Sequence, residues 1–181
     1  STGLEFFKEA SGFVPTRLWK RLIKHENWYD GDTANFAIGQ GYLVLTPLQA
    51  VRLISVFANG GYLVTPYILK SVDNKEIVHP QPQKLNLGQH SLEVIKTGLE
   101  NVVNDATGTA NILASLNLKI AAKTGTAQVY NKLAHGWVIG FAPYDKPKIA
   151  FALLLENVGS SAVSVVTLKN ILEKFKEKGL L

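Results

Sequence analysis

The sequence predicts an α+β fold: a late antiparallel sheet covered by helices. Two observations carry this. Three segments with strand character, Leu118–Val129, Gly136–Ala142 and Ile149–Glu156, follow one another with links of about 4–7 residues, short enough for antiparallel hairpins. Helical apolar spacing recurs before and after them, so helices must lie on the sheet. The 181 residues suit one domain, and 46% hydrophobic against 18% charged residues exclude disorder as the main state.

Residues 1–35 read as irregular chain with one short helix. Pro15-Thr16 starts it, and Leu18, Trp19, Leu22 and Ile23 form its stripe. Arg17, Lys20, Arg21 and Lys24 around that stripe read as a solvated face. Asp32 before Thr33 reads as a loop-capping carboxylate. Gly39-Gln40-Gly41 is a tight loop. Thr46 caps the next helix, Pro47 fits its first turn and Gln49 completes a capping box. That helix is apolar on several sides and ends at Asn59-Gly60-Gly61.

Tyr62–Leu69 is a strand interrupted by Pro66, Asp73-Asn74 a turn, and residues 79–90 a loop. Ser91 caps a helix to about Asn104, with Leu92, Ile95, Leu99, Val102 and Val103 inward. After the three strands, residues 161–178 form an amphipathic helix that turns Val165, Leu168, Ile171, Leu172 and Phe175 inward.

Several function classes fall away. With no Cys there is no thiolate catalysis and no Cys-ligated zinc. His25, His79, His90 and His135 show no ligand spacing, so neither a metal nor a cofactor is expected. Trp19, Trp28 and Trp137 lack basic interleaving, which disfavours nucleic acid, although the net charge of +5 permits an anionic partner. The longest apolar run, Ile149–Leu155, is far short of the roughly 20 residues of a membrane span. The chain opens at Ser1 without Met, the expectation being a processed product or a piece of a longer protein.

The sharpest local motif is Lys123-Thr124-Gly125-Thr126-Ala127-Gln128. It is not a phosphate loop, since Ala122 and Asn117 stand where glycines are needed. Nor do Gly39 and Gly41 open a dinucleotide fingerprint, because Val44 occupies the third glycine position. Lys-Thr-Gly also serves on a strand edge beside a serine nucleophile. The edge offers backbone groups to an extended peptide, lysine and threonine suit a carboxylate, and glycine admits close approach. A backbone N–H there can stabilise an oxyanion.

The surrounding series supports that use. Gly31-Asp32-Thr33-Ala34-Asn35, Ile38-Gly39-Gln40-Gly41, Thr46-Pro47-Leu48-Gln49, Gly108-Thr109-Ala110, the Lys123 motif and His135-Gly136-Trp137-Val138-Ile139-Gly140-Phe141-Ala142-Pro143 follow in order. From about Phe13 onward the chain resembles the C-terminal part of the transpeptidase domain of class B penicillin-binding proteins, most of all the penicillin-binding protein 2 type of sidewall elongation. The resemblance implies the serine β-lactamase/penicillin-binding transpeptidase fold. It implies a D,D-transpeptidase that cross-links peptidoglycan stem peptides ending in D-Ala-D-Ala and is a target of β-lactams. It further implies elongation-complex cell-wall proteins as partners, and a place on the periplasmic face of the inner membrane, held by an upstream helix. Lys123, Thr124, Gly125 and Thr126 would be the substrate-binding strand. Thr124 and Thr126 would hold the terminal carboxylate, the Thr126 N–H would be half of the oxyanion hole, and His135–Phe141 would be the supporting strand.

The nucleophile departs from the pattern. No Ser here is followed three residues later by Lys, so residues 1–181 are expected to be a C-terminal portion whose nucleophile lies upstream. Ser115-Leu116-Asn117 spells Ser-x-Asn but reads as coincidence. The chain alone is expected to be inactive, with a large apolar surface left exposed. Two rival readings are a non-catalytic peptide-binding or scaffold domain, and a β-lactam sensor or β-lactamase relative.

Overall fold

The computed structural model describes residues 1–4 and 8–181, so the expectation of irregular chain over 5–7 lies outside the described residues. Helix α1 (Arg17–Trp19) begins where Thr16 accepts a hydrogen bond from the Trp19 amide, and runs on as a wider π-turn segment, Lys20–Lys24. A second helix, α2 (Asp30–Ala37), occupies a stretch that the sequence presented as irregular. Its signal is hidden in Asp32, whose carboxylate accepts the Tyr29 amide at 2.8 Å across the first turn. Asp32 therefore caps a helix start rather than a loop.

Asp32 also overturns the solvated-face reading for one lysine. The Lys20 side chain is only 4% exposed, and its Nζ lies 2.7 Å from Asp32 Oδ2 and 3.4 Å from Glu26. An amphipathic count cannot see this, because the partner lies twelve residues away and the chain must fold back to deliver it.

Helix α3 (Pro47–Ala58) starts as read. Thr46 Oγ1 accepts the Gln49 amide, and the Gln49 side chain accepts the Thr46 amide. The strand expected over Tyr62–Leu69 shrinks to β1 (Tyr62–Leu63). Pro66 has no N–H to give, and the Val64 carbonyl is taken by Arg52 Nε of α3 at 2.6 Å. β1 pairs with β4 (Gln83–Lys84), which lies inside the expected loop. Between them β2 (Ser71–Val72) and β3 (Lys75–Glu76) form a hairpin across Asp73-Asn74, both with positive φ.

Helix α4 (Gln89–Asn104) begins three residues before the expected start, with Gly88 as its N-cap instead of Ser91. Leu92, Leu99 and Val103 are buried on it as read, but Ile95 is exposed. A 3-10 helix, Asn111–Leu116, was not anticipated and carries Leu113 and Leu116 into the core.

The main sheet is β5 (Ala121–Ala127), β6 (His135–Ala142) and β7 (Ile149–Leu155), antiparallel in that order. β5 starts later than read because Asn117 and Lys119 are left-handed. Its register sets Thr124 opposite Val138, Gly125 opposite Trp137 and Thr126 opposite Gly136. Alternation then sends the two faces to two cores. Ala122 and Val138 pack with Val165, Leu168 and Leu172 of α5 (Ser161–Glu177), whereas Ala121 and Phe141 pack with Ile54 of α3 and Leu99 of α4.

Two glycines of β6 permit this close layering. A Cβ at Gly136 would lie 2.4 Å from Ser164 Oγ of α5, and one at Gly140 would lie 2.3 Å from the Ala121 carbonyl. Ile171 and Phe175 of α5, read as inward, are exposed instead, as are Val163 and Val166 on that helix and Leu53 on α3.

Candidate active site

β5 is paired only with β6, so its other edge is open among the described residues. Side-chain alternation places Lys123 and Gly125 toward the α3 face and Thr124 and Thr126 toward the α5 face. The four residues nominated from the sequence therefore sit together on one strand edge but address it from both sides. A cleft of about 380 Å³ runs along them, closed opposite by Ile38, Gln40 and Leu43.

The backbone direction is fixed by one contact. The Thr126 carbonyl accepts Gln40 Nε2 at 2.8 Å, away from β6. In an antiparallel strand the N–H and C=O of one residue point to the same side. The Thr126 N–H therefore also faces the cleft, and so do the N–H and C=O of Thr124, two residues earlier. The Lys123 ammonium donates to the Thr124 carbonyl at 2.7 Å, so its charge lies at the same edge.

The hydroxyls are held from the opposite face. Thr124 is 7% exposed, and its Oγ1 lies 2.7 Å from Thr109 Oγ1. Thr126 Oγ1 accepts the Ser161 amide at the first turn of α5, at 3.3 Å. Sequence reading named Thr109 and Gln40 only as members of the motif series and gave neither a role. Ser161 gave no signal, since its part is played by a backbone amide. Gly125 behaves differently from Gly136 and Gly140. A Cβ there would meet Trp137 Cβ at 3.5 Å, an ordinary contact, so internal packing does not require the glycine.

Of the other candidates, His135 lines the far end of the cleft and Ser115 does not. Ser115 lies on the 3-10 helix, donates its hydroxyl to the Ile112 carbonyl at 2.8 Å, and does not line the cleft. His135 Nδ1 accepts the Asn157 amide at 3.0 Å, which ties the start of β6 to the turn after β7. Among the described residues no group of three or more His, Asp or Glu converges as a metal site.

Residues 1–173 match the model of the penicillin-binding protein transpeptidase domain. The chain belongs to that family. Among curated transpeptidase relatives, the peptidoglycan D,D-transpeptidase MrdA of Escherichia coli K12 is 37% identical over 193 aligned residues, covering 95% of this chain and 30% of that protein. Among solved structures, PBP2 of Helicobacter pylori in complex with MreC matches with a TM-score of 0.87 at 35% identity, over 99% of this chain and 33% of that one. PBP2 of Pseudomonas aeruginosa in complex with WCK 5153 matches with a TM-score of 0.82 at 35% identity, over 92% of this chain and 39% of that one. The chain thus spans about a third of these penicillin-binding relatives, and the expected transpeptidase fold holds over that span.

Proposed function

We propose that this chain supplies the substrate-binding strand of a peptidoglycan D,D-transpeptidase whose serine nucleophile lies outside these 181 residues. The observation that carries the reading is the direction of Thr126: its N–H and C=O both face an open cleft, next to the Lys123 ammonium. An extended stem peptide lies antiparallel on β5, with its terminal D-Ala carboxylate near Lys123 and the Thr124 and Thr126 hydroxyls. The serine oxygen attacks the carbonyl of the D-Ala-D-Ala bond and its proton passes to a neighbouring base. The Thr126 N–H donates to the oxyanion of the tetrahedral intermediate, a contribution worth about 3 kcal/mol in other acyl-transfer enzymes. The C–N bond breaks, and terminal D-Ala leaves as the protonated amine. The amine of a second stem peptide then attacks the ester, forms the cross-link and frees the serine. A β-lactam enters by the same edge and stops at the ester.

The partners proposed are stem peptides, β-lactams and cell-wall proteins of an elongation complex, on the periplasmic face of the inner membrane. The MrdA and PBP2 relatives support this, and the H. pylori one is bound to MreC. Among the described residues no helix is long and apolar enough to cross a membrane, so the anchor would lie in another part of the protein.

A second reading, a peptide-binding domain without catalysis, is favoured by the absence of Ser-x-x-Lys from the sequence. Intact-protein mass with excess benzylpenicillin separates the two. The expected result is no adduct on residues 1–181 and one stoichiometric adduct on the longer protein, slowed tenfold or more by Lys123→Ala. No adduct on either would establish the non-catalytic reading. An adduct on residues 1–181 would place an activated serine within this chain.

A further inference from the structure

The open edge of β5 is not bare. Its two cleft-facing carbonyls already have donors: Lys123 Nζ on Thr124 and Gln40 Nε2 on Thr126. Gln40 reaches across from the Gly39-Gln40-Gly41 turn, in which both glycines have positive φ, and it comes from a residue 86 positions away. We infer that Gln40 is a placeholder for the substrate's own amide: it holds the Thr126 carbonyl while the cleft is empty and must leave when an acyl donor binds. The inference rests on the transpeptidase reading and adds to it a residue that discriminates among ligands.

The argument is one of strand pairing. In a hydrogen-bonded antiparallel pair, one residue exchanges both of its backbone bonds with one residue opposite. The ligand residue whose carbonyl accepts from the Thr126 N–H must therefore give its own N–H to the Thr126 carbonyl. That carbonyl is where Gln40 Nε2 sits at 2.8 Å, and the side chain fills the place of the incoming N–H. Lys123 does not compete in the same way, since its ammonium bonds Thr124, one pairing position along. The Thr126 N–H has no side-chain placeholder among the hydrogen bonds of the described residues, so the oxyanion position stays open while the adjoining acceptor is covered.

A ligand that carries an amide N–H on the atom next to its reactive carbonyl must displace Gln40. A ligand that lacks this N–H leaves the Gln40 bond in place. The cost of displacement is the net advantage of an internal hydrogen bond over one to water, roughly three- to tenfold in apparent affinity. Gln40 thus lowers capture of amide-bearing donors and, once displaced, gives up its place to a second bond that fixes their register.

The test uses the longer protein and two β-lactams: benzylpenicillin, with a side-chain amide N–H next to its lactam carbonyl, and imipenem, with none. Second-order acylation constants are measured for the unsubstituted protein, for Gln40→Met, which keeps length and loses the donor, and for Gln40→Ala. The expected result is a rise of roughly fivefold in the benzylpenicillin-to-imipenem ratio for both variants. A general loss of activity or folding cancels in that ratio. A ratio within twofold of the unsubstituted protein, or a lower one, overturns the placeholder and leaves the transpeptidase reading intact. Failure of both compounds to acylate the unsubstituted protein overturns the transpeptidase reading, and the placeholder falls with it.

Discussion

The sheet β5-β6-β7 with α5 and the segment ahead of α3 are held together by different physics. In the first, apolar side chains from opposite strand faces fill two cores, and the backbones approach so closely that Gly136 and Gly140 have no room for a Cβ. In the second, the clasps are polar. Glu9 accepts from Thr2, Lys20 is shared by Asp32 and Glu26, and Gln49 Nε2 donates to the Ser11 carbonyl. Leu18, Leu22 and Ile23 remain exposed there. The sheet region should therefore unfold as one unit, whereas the leading segment should open locally and first. The proposed site spans both: Lys123 and Thr126 belong to the rigid unit, and Gln40 arrives on the looser one.

The largest effect expected from this contrast is that of Gly140→Ala. The new methyl group would meet the Ala121 carbonyl and the Phe151 ring at 2.3–2.9 Å, and neither is free to move. The loss should be about 3 kcal/mol or more, read as a lower denaturant midpoint for the whole chain. Gly125→Ala meets nothing closer than 3.5 Å and should leave that midpoint nearly unchanged, while in the longer protein it slows acylation by β-lactams. Equal destabilisation by the two substitutions would mean that Gly125 serves the fold, and the substrate-approach argument would lose its support.

The middle-sized effect lies in the polar region. The Lys20 ammonium beside Asp32 holds that carboxyl below its ordinary value, and Asp32 raises Lys20 in turn. A depressed carboxyl stabilises above its unfolded pKa and loses that contribution as pH falls through the folded one. For Asp32 the loss comes at pH values below about 3.8. A raised lysine stabilises below its unfolded pKa and loses its contribution only above about 10.5. Hydrogen-exchange protection over residues 17–37 should therefore be steady through neutral pH and collapse only as pH falls below about 3.8, ahead of the sheet. Lys20→Met should open the same residues already at neutral pH. Simultaneous loss of protection in both regions would show that the clasp is part of the global core.

The same contrast explains what could be read from the sequence. The three strands, α3 and α5 announced themselves because their apolar spacing is local and their caps are sequence-adjacent, as with Thr46 and Gln49. The Lys123 motif could be placed on a strand edge for the same reason. The burial of Lys20 stayed hidden because its cause is a contact twelve residues apart, whereas α2 went unread although its capping contact, Asp32 on the Tyr29 amide, is local. Gln40 was visible as part of a motif, but its action on Thr126 depends on a contact across 86 residues, which no local pattern encodes. The shortened Tyr62–Leu63 strand failed for a related reason: Arg52 of α3, not a neighbouring strand, claims the Val64 carbonyl.

The smallest effect compares one chemical change in two settings. Thr16 and Ser160 are both N-cap hydroxyls, the first accepting the Trp19 amide at 3.1 Å and the second the Ala162 amide at 3.2 Å. Replacing either by alanine removes one hydrogen bond worth about 1 kcal/mol to its helix. Ser160 starts α5, whose Val165, Leu168 and Leu172 are locked into the sheet core, so its loss cannot be confined. Ser160→Ala should lower global stability by about 1 kcal/mol, seen equally in a denaturant midpoint and in the slowest-exchanging amides of β6. Thr16 starts a helix with no buried residue in its first three positions. Thr16→Ala should accelerate exchange only around residues 17–24 and leave the β6 amides where they were. If the β6 amides respond to Thr16→Ala as they do to Ser160→Ala, the leading segment is coupled to the sheet. Gln40 would then reach Thr126 on a rigid arm, and its displacement by a ligand would cost more than one hydrogen bond.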